Sequence, residues 1–594
     1  MRKFFIIFLC LFSVVAALPV TDSSYLYGIH WYGKTDSITP GQRTDVEDMT
    51  GDKGVWVLEI THVDADAGQA PEWDRPPYYA GHSQKVTQAK GHSMIFRVQP
   101  YWSRNVPHSS DSSYTLTNYS DDCKAAADTL KNYCHIWQIG NEVNILGENK
   151  HWDGAGYNTE WEPTPAQYAD TYIACRDKIH EITPFTTPAT QIVLMQPNSP
   201  GNVIPGVRFM DGNEFLWRMI DAVSDKSKID GFGVHGYAGG SNYGLEDYWD
   251  SIREQLMILD QMGLGDRPVY ITEWNKHIPD LANAESGAKF LHRAYTLMYN
   301  WNIGSGGEWP GLSNHNVVCA TWFVYPKDFG WDDYSLQYWK NLTSSFDEEH
   351  DPWKSFNYSC GSGYARGSSG GGGAVPQSSL WWQDGFDGSS LDQDAPLPDW
   401  KAETTGSGSV LMSGSGSVRF LGNGSVNGGG GIRTSGYVYD NFHIEANITI
   451  TNAARSHTSV PEANFDIRLR EGSKGYSITF FTSQSPTNPG RIILRRSSEW
   501  SQIGSYNTVV SGGINSGDTF HIAATANGTN LLIKIYKNSG GTPVVDWNVT
   551  DDGQKVGWIR LMSYNLNEAR VNHFAIGGPS WAPASAVENW ELYK

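Results

Sequence analysis

Two glutamates each end a short apolar run, which is a poor place for a charge unless it has work to do. Trp137-Gln138-Ile139-Gly140-Asn141-Glu142-Val143-Asn144 is one such stretch, and Val269-Tyr270-Ile271-Thr272-Glu273-Trp274-Asn275 is the other. An apolar run of this length, bounded by Gly, Asn and Thr, reads as a buried parallel strand. Carboxylates are almost never fully buried without a partner, whereas the C-terminal rim of a parallel barrel is where reactive groups collect. Two carboxyls across one rim suit the cleavage of a glycosidic bond with retention: an acid protonates the leaving oxygen and a nucleophile stands opposite.

Six further strand patterns must position these two. Tyr25–His30, Gly54–Ile60 and Ser93–Gln99 precede the Asn-Glu strand; Gln191–Met195 and Gly231–His235 follow it. The Thr-Glu-Trp strand is then the seventh and Val317–Val324 the eighth. Helical patterns fall between several of them, at Asp121–Tyr133, Pro165–Ile182, Glu214–Ser224, Leu245–Met262 and Asn283–Asn300. In Leu245–Met262 the apolar residues Tyr248, Ile252, Leu256, Ile258 and Leu259 fall near a 3.6 period, so one face should meet the barrel. Eight strands with helices interleaved predict the α/β class and a (β/α)8 TIM barrel. The long aromatic stretches Tyr101–Ser120 and Ile145–Pro163 follow strands three and four. They should wall a cleft on the reactive face, with Trp102, Trp152 and Trp161 as candidate sugar platforms.

Gly140-Asn141-Glu142 on a fourth strand and Thr272-Glu273-Trp274 on a seventh resemble clan A of the glycoside hydrolases, retaining enzymes on a TIM barrel. The resemblance spans Tyr25–Phe346. It implies Glu142 as acid/base, its pKa raised by partial burial and by the negative Glu273, and Glu273 as the ionised nucleophile. Asn141 would hydrogen-bond the sugar 2-hydroxyl. His235-Gly236-Tyr237 is similar to the His-x-Tyr that many clan members carry on strand six. That match implies a Tyr237 hydroxyl donated to the nucleophile and His235 as a sugar binder. Trp322 corresponds to the clan's aromatic platform under the cleaved sugar, with Trp274, His30 and Trp31 as further substrate contacts. The clan also carries an Arg near the end of strand two; Leu58-Glu59-Ile60-Thr61-His62 has none. Either Arg97 on strand three takes its place or the strand count is shifted by one.

The rest of the chain sets the context. Arg2 and Lys3, an apolar run Phe4–Val15 and Ala16-Ala17 read as a secretory signal over 1–17, too short for a bilayer span of about 20 residues. Sequons at Asn118, Asn341, Asn357, Asn423, Asn447, Asn527 and Asn548 fit export. Five cysteines remain after the leader, an odd set that makes no disulfide framework, and no spacing predicts a metal or other cofactor. The formal charge of −20 becomes −22 without Arg2 and Lys3, which disfavours nucleic acid and anionic membranes as partners. Aromatics reach 13% with 24 Trp, a composition suited to sugar faces or to large aromatic cores.

Residues 18–360 should form the barrel, and 361–379, with its run of Gly and Ser, a flexible linker. Residues 380–581 alternate as strands with Asn-Gly and Gly-Gly turns and predict an all-β sandwich, leaving 582–594 as a tail. Asp384-Gly-Phe-Asp-Gly388, Tyr439-Asp-Asn-Phe442 and Gly475-Tyr-Ser-Ile resemble concanavalin-like jelly-roll modules, which often bind glycans. The expectation is a secreted, monomeric, endo-acting β-glycoside hydrolase on a neutral polysaccharide or oligosaccharide, tethered to its polymer by the sandwich. A barrel that has lost activity, in a wall-associated lectin-like protein, is the alternative.

Overall fold

The structure, a computed structural model, describes residues 20–23, 26–30, 55–63, 92–101, 103–111, 114–152, 157–238, 245–276, parts of 294–302, 317–323, parts of 380–386, 400–412, 416–422, 428–434, 438–455, 461–469, 475–497 and 500–581. The expected leader at 1–17, linker at 361–379 and tail at 582–594 lie outside these residues.

Eight parallel strands close into a barrel in chain order. They are β1 (Tyr27–His30), β2 (Trp56–His62), β3 (Ser93–Gln99), β4 (Ile136–Ile139), β5 (Ile192–Met195), β6 (Gly231–Ala238), β7 (Val269–Lys276) and β8 (Val317–Trp322), with β8 returning to β1. β3 and β8 are buried at every position, as near-continuous apolar runs covered on both faces require. Aromatics fill the barrel. Trp56, Trp137, Trp274 and Trp322 are all fully buried; Phe96 stacks on Trp137 with centroids 5.8 Å apart, and Trp56 meets Tyr270 edge-on at 5.7 Å.

Helices α1 (Leu116–Leu130), α2 (Pro165–Ile179), α3 (Gly212–Ala222) and α4 (Leu245–Gln261) follow β3, β4, β5 and β6. Most of the helical pattern at Asn283–Asn300 lies outside the described residues. α1 starts earlier than its apolar period indicates, because Thr115 and Asn118 form a capping box; Thr164 and Gln167 do the same for α2. Tyrosines tie helices to strands. Tyr119 donates to the Val98 carbonyl, Tyr168 to that of Ile139 and Tyr172 to that of Val193, each at 2.9 Å, so buried strand carbonyls are satisfied.

From Leu380 to Gly577 antiparallel strands build an eight-stranded and a seven-stranded sheet. In Phe442–Arg455 the residues Phe442, Ile444 and Ala446 alternate into the core, and Phe480 of one sheet meets Phe520 of the other at 5.1 Å. His443, Glu445 and Asn447 occupy the opposite face. Asn447 is 5% exposed and takes a hydrogen bond with His521 Nδ1 at 2.8 Å, so this sequon is not on an open surface.

The sandwich does not merely trail behind the barrel. Glu214 on α3 accepts from the backbone N–H groups of Lys555 (2.8 Å) and Val556 (3.2 Å), and Trp217 donates its indole N–H to Asp440 at 2.8 Å. On α4, Gln261 donates to the Val438 carbonyl (2.7 Å) and accepts from Asp440 N–H (2.9 Å), while Glu254 accepts from the Trp558 indole (2.6 Å). Glu214, Glu254, Gln261 and Asp440 are all buried. Buried polar groups persist only when paired, and here the partners come from the other sheet system. The flexible linker expected at 361–379 therefore does not leave the two parts independent: they share a buried polar interface.

Candidate active site

The Asn-Glu pair sits just past β4 in a sharp turn. Gly140 has φ +79° and Glu142 has φ +42°, a left-handed conformation that costs a non-glycine residue energy and persists only where surroundings impose it. Four successive N–H groups supply that imposition. Gly140 donates to Val98 O, Asn141 to Asn105 Oδ1 and Glu142 to Pro197 O, each at 2.9 Å, and Val143 donates to Gln196 Oε1 at 2.8 Å. The acceptors belong to β3, the segment after it and the segment after β5. The turn is thus held by its two neighbours in the barrel, and the Glu142 carboxyl is partly exposed.

Glu273 lies where β7 falls out of register with both neighbours, between Val234 and His235 on the β6 side and between Ile271 and Trp274 on the β8 side. Bulges of this kind re-aim a side chain at a rim. Thr321 on β8 donates its hydroxyl to the Thr272 carbonyl beside the bulge. The Glu273 carboxyl, 5% exposed, takes Arg97 Nη1 on Oε1 at 2.6 Å and the Tyr237 hydroxyl on Oε2. His30 Nδ1 stands 3.6 Å from Oε1. Burial alone would push this carboxyl up, but His235, Arg97, His30 and the Tyr237 hydrogen bond outweigh it and hold it down at about 2. His30 is itself lowered to about 3, by burial first, and is neutral above that. Near neutral pH the anion therefore leans on His235, Arg97 and Tyr237 rather than on His30. Burial, then Glu273 and Glu142, raise the Tyr237 hydroxyl well above its ordinary value, so it stays a donor.

His235 joins the two carboxyls. Its Nδ1 is 2.9 Å from Glu142 Oε1 and 3.7 Å from Glu273 Oε2, which caps the separation of those oxygens at about 6.6 Å. A third carboxyl stands near them. Glu148, half-buried, is linked to Asn105, whose Nδ2 donates to the Glu148 carbonyl at 2.8 Å. Burial pushes this carboxyl up, Arg97 opposes it, and Glu142 and Glu273 push again, leaving it at about 7.

The structure brings together Glu142, Glu273, Arg97, His30, His235 and Tyr237. Arg97, on the third strand of the closed barrel, reaches Glu273 directly. His235, fully buried, meets Glu142, and its Nε2 has no hydrogen bond among the described residues. Asn141 is 4% exposed, and its side-chain Oδ1 likewise has no donor among them. Trp322 and Trp274 require correction. Both are fully buried and pack edge-on against each other at 4.8 Å, so their faces are taken by barrel packing. His30 too is fully buried, beside Glu273, and offers no open platform. Trp31, Trp102 and the side chain of Trp152 lie outside what is described. Trp161 packs edge-on against His108, which stacks on His151, so the segments after β3 and β4 do meet.

Asn105, Gln196 and Glu148 were not anticipated. Glu148 had a sequence signal, an acid six residues past Glu142 on a rim segment; Asn105 and Gln196 had none, because only folding brings them to the turn. Among the described residues no group of three or more His, Cys, Asp or Glu is arranged to hold a metal ion, and no helix is long and apolar enough to cross a membrane.

No family model matches the chain, and no curated protein matches it. Among solved structures it is similar to a protein of unknown function with a galectin-like fold from Bacillus subtilis, at 12% identity over 34% of this chain and 97% of that one, with a TM-score of 0.25. It is also similar to a legume lectin-like domain from Entamoeba histolytica, at 12% identity over 30% of this chain and 88% of that one, TM-score 0.22. A structure from work on endo-acting O-glycanases of the human gut microbiota matches at 11% identity over 34% of this chain and 99% of that one, TM-score 0.25. Likenesses this distant carry no functional argument; the molecule is an eight-stranded parallel barrel followed by an all-β region.

Proposed function

We infer that this protein is a retaining β-glycoside hydrolase of the clan A kind, its barrel a (β/α)8 TIM barrel, exported and acting on a neutral polysaccharide or oligosaccharide. The observation that carries the reading is the single imidazole nitrogen of His235 lying within 2.9 Å of Glu142 and 3.7 Å of Glu273. That contact holds the facing oxygens of the two carboxyls within about 6.6 Å, a bound that admits the roughly 5–5.5 Å of retaining enzymes and lies at the short end of the roughly 6.5–9.5 Å range that leaves room for a water. Glu273, held ionised by Arg97 and Tyr237, attacks the anomeric carbon. The bond to the leaving oxygen breaks with its electron pair on that oxygen, which takes the proton of Glu142. Glu142, now a carboxylate, removes a proton from water; the hydroxide so formed attacks the same carbon and Glu273 departs as an anion, leaving the product with its original configuration. Asn141, with an unengaged Oδ1, is available to a sugar hydroxyl.

The test is a screen of neutral polysaccharides and oligosaccharides for new reducing ends, with product configuration followed during the burst of hydrolysis. Release of the retained anomer supports the reading. Binding without any cleavage across the panel would favour the lectin-like alternative, and an inverted anomer would end the double-displacement assignment.

A further inference from the structure

Helix α4 has two employed faces. Toward the barrel, Tyr248 and Ile252 press on the backbone of Gly236: a Cβ there would meet Ile252 at 2.6 Å and Tyr248 at 3.1 Å, so only glycine admits the helix this close. Gln255 continues the face and donates to the His235 carbonyl at 2.8 Å. Tyr248 also packs on Trp274, next in the chain to Glu273, with centroids 5.2 Å apart. These residues are spaced by four and three, one helical stripe laid on the segment His235–Tyr237 and on the end of β7.

Asp250, Glu254 and Gln261 form a second stripe, spaced by four and seven, and it faces the sandwich. Asp250 pairs with Lys401 at 3.5 Å, Glu254 accepts from Trp558 at 2.6 Å, and Gln261 makes its reciprocal pair with Val438 and Asp440. Glu254 also accepts from Asn213 of α3 at 2.7 Å, which joins α3 to the same contact. The geometry points to a coupling that rests on the glycosidase reading: the sandwich sets the position of α4, and α4 sets the position of His235 and Tyr237 against Glu142 and Glu273. Glu254, Gln255 and Trp558 are then positioning residues, and the sandwich is part of the working barrel rather than an appendage that only captures polymer.

The physical warrant is how narrow the tolerances are. His235 bridges two carboxyls and Tyr237 holds the Glu273 anion, so a shift of the β6 end alters both groups at once. Misplacement by about 1 Å can cost on the order of a hundredfold in rate. Close packing transmits such shifts, because Gly236 leaves no space between strand and helix to absorb them.

The experiment uses the full-length protein with Trp558→Phe, which keeps the ring and removes the indole donor, and with Gln261→Met at the far end of α4. Arg419→Ala serves as a control, since Arg419 pairs with Glu568 inside the sandwich at 2.9 Å, away from the interface. Amide exchange is read on peptides covering 231–238, and kcat and KM on a soluble oligosaccharide. Trp558→Phe and Gln261→Met should raise exchange over 231–238 and lower kcat about tenfold with KM within about twofold, and should displace the pH profile of kcat/KM. Arg419→Ala should leave all three readings unchanged. Exchange that rises only in the sandwich overturns the coupling, even if no substrate is ever found, because it does not depend on turnover. Raised exchange over 231–238 with an unaltered kcat overturns the positioning role. A chain that shows the predicted exchange pattern but no hydrolysis in the wild type supports the mechanical link and counts against the glycosidase reading alone.

Discussion

Glu273 and Glu142 divide the labour through their surroundings, so exchanging either should give a distinct outcome. Glu273→Gln keeps the shape but cannot form the glycosyl ester, and turnover should vanish while oligosaccharide binding, measured by calorimetry, stays largely intact. Glu142→Ala should spare substrates with an activated leaving group, which need little protonation. Added azide should restore its rate and yield the glycosyl azide of retained configuration. An inverted azide product would reverse the assignment. Arg97 bears on pH. Against burial, His235 and then Arg97, at 2.6 Å, hold the Glu273 carboxyl at about 2, so it stays ionised at every pH above that value. A depressed acid contributes stability that is present above its unfolded value and lost as pH falls through the folded one. Arg97→Met removes a cation, so the Glu273 pKa should rise. The acid limb of kcat/KM should then move to higher pH, with a loss of activity at its optimum on the order of a hundredfold. An acid limb that stays in place would show that Arg97 is not what keeps Glu273 ionised.

The elements matter because a left-handed glutamate cannot hold itself. The turn Gly140–Val143 borrows acceptors from β3, from Asn105 and from Gln196-Pro197, so Asn105 should matter to Glu142 without touching substrate. Asn105→Ala strands the buried Asn141 N–H and frees the Glu148 carbonyl. The unsatisfied donor costs about 1–3 kcal/mol. Thermal unfolding should record that loss, and kcat should fall further than KM changes, since the turn relaxes away from the conformation that aims Glu142. Equal activity in a destabilised protein would reduce Asn105 to a purely structural part. Exposure predicts which sequons, one on α1 of the barrel and three in the sandwich, carry sugar when the protein passes through a glycosylating host. Asn118, Asn527 and Asn548 are exposed, whereas Asn447 is buried against His521. Peptide mapping should find glycan on the first three and none on Asn447.

At the scale of the whole molecule, the barrel and the sandwich share Glu214, Trp217, Glu254, Gln261, Asp440 and Trp558 across one buried boundary. A protease site placed within 370–373 should therefore yield two pieces that co-elute on size exclusion after cleavage. The barrel piece expressed alone should aggregate, since α3 and α4 would expose an indole and two carboxylates whose donors are gone. Separation of the cut pieces into two soluble, folded species would show that the boundary contributes little.

Strand order, the two glutamates at strand ends and the all-β C-terminal region were legible in the chain because each depends on local pattern, whereas Tyr237 came only from the His-x-Tyr resemblance. Apolar runs with abrupt polar ends mark buried strands, and period-two alternation marks sheets, whatever lies around them. β3 was bounded by its sequence at both ends, and β7 lacked only Lys276. What distant residues decide could not be read this way. Trp322 and Trp274 are the residue type of sugar platforms, yet they pack edge-on against each other because the β7–β8 register puts them side by side. Arg97 could not be matched to Glu273, 176 positions away, until the barrel closed. The interface of α3 and α4 with the sandwich is written in charged and polar residues that look solvent-exposed along the chain; only the arrival of Asp440, Lys555 and Trp558 gives them partners, and burial energetics rather than local preference then decides that the two parts stand together.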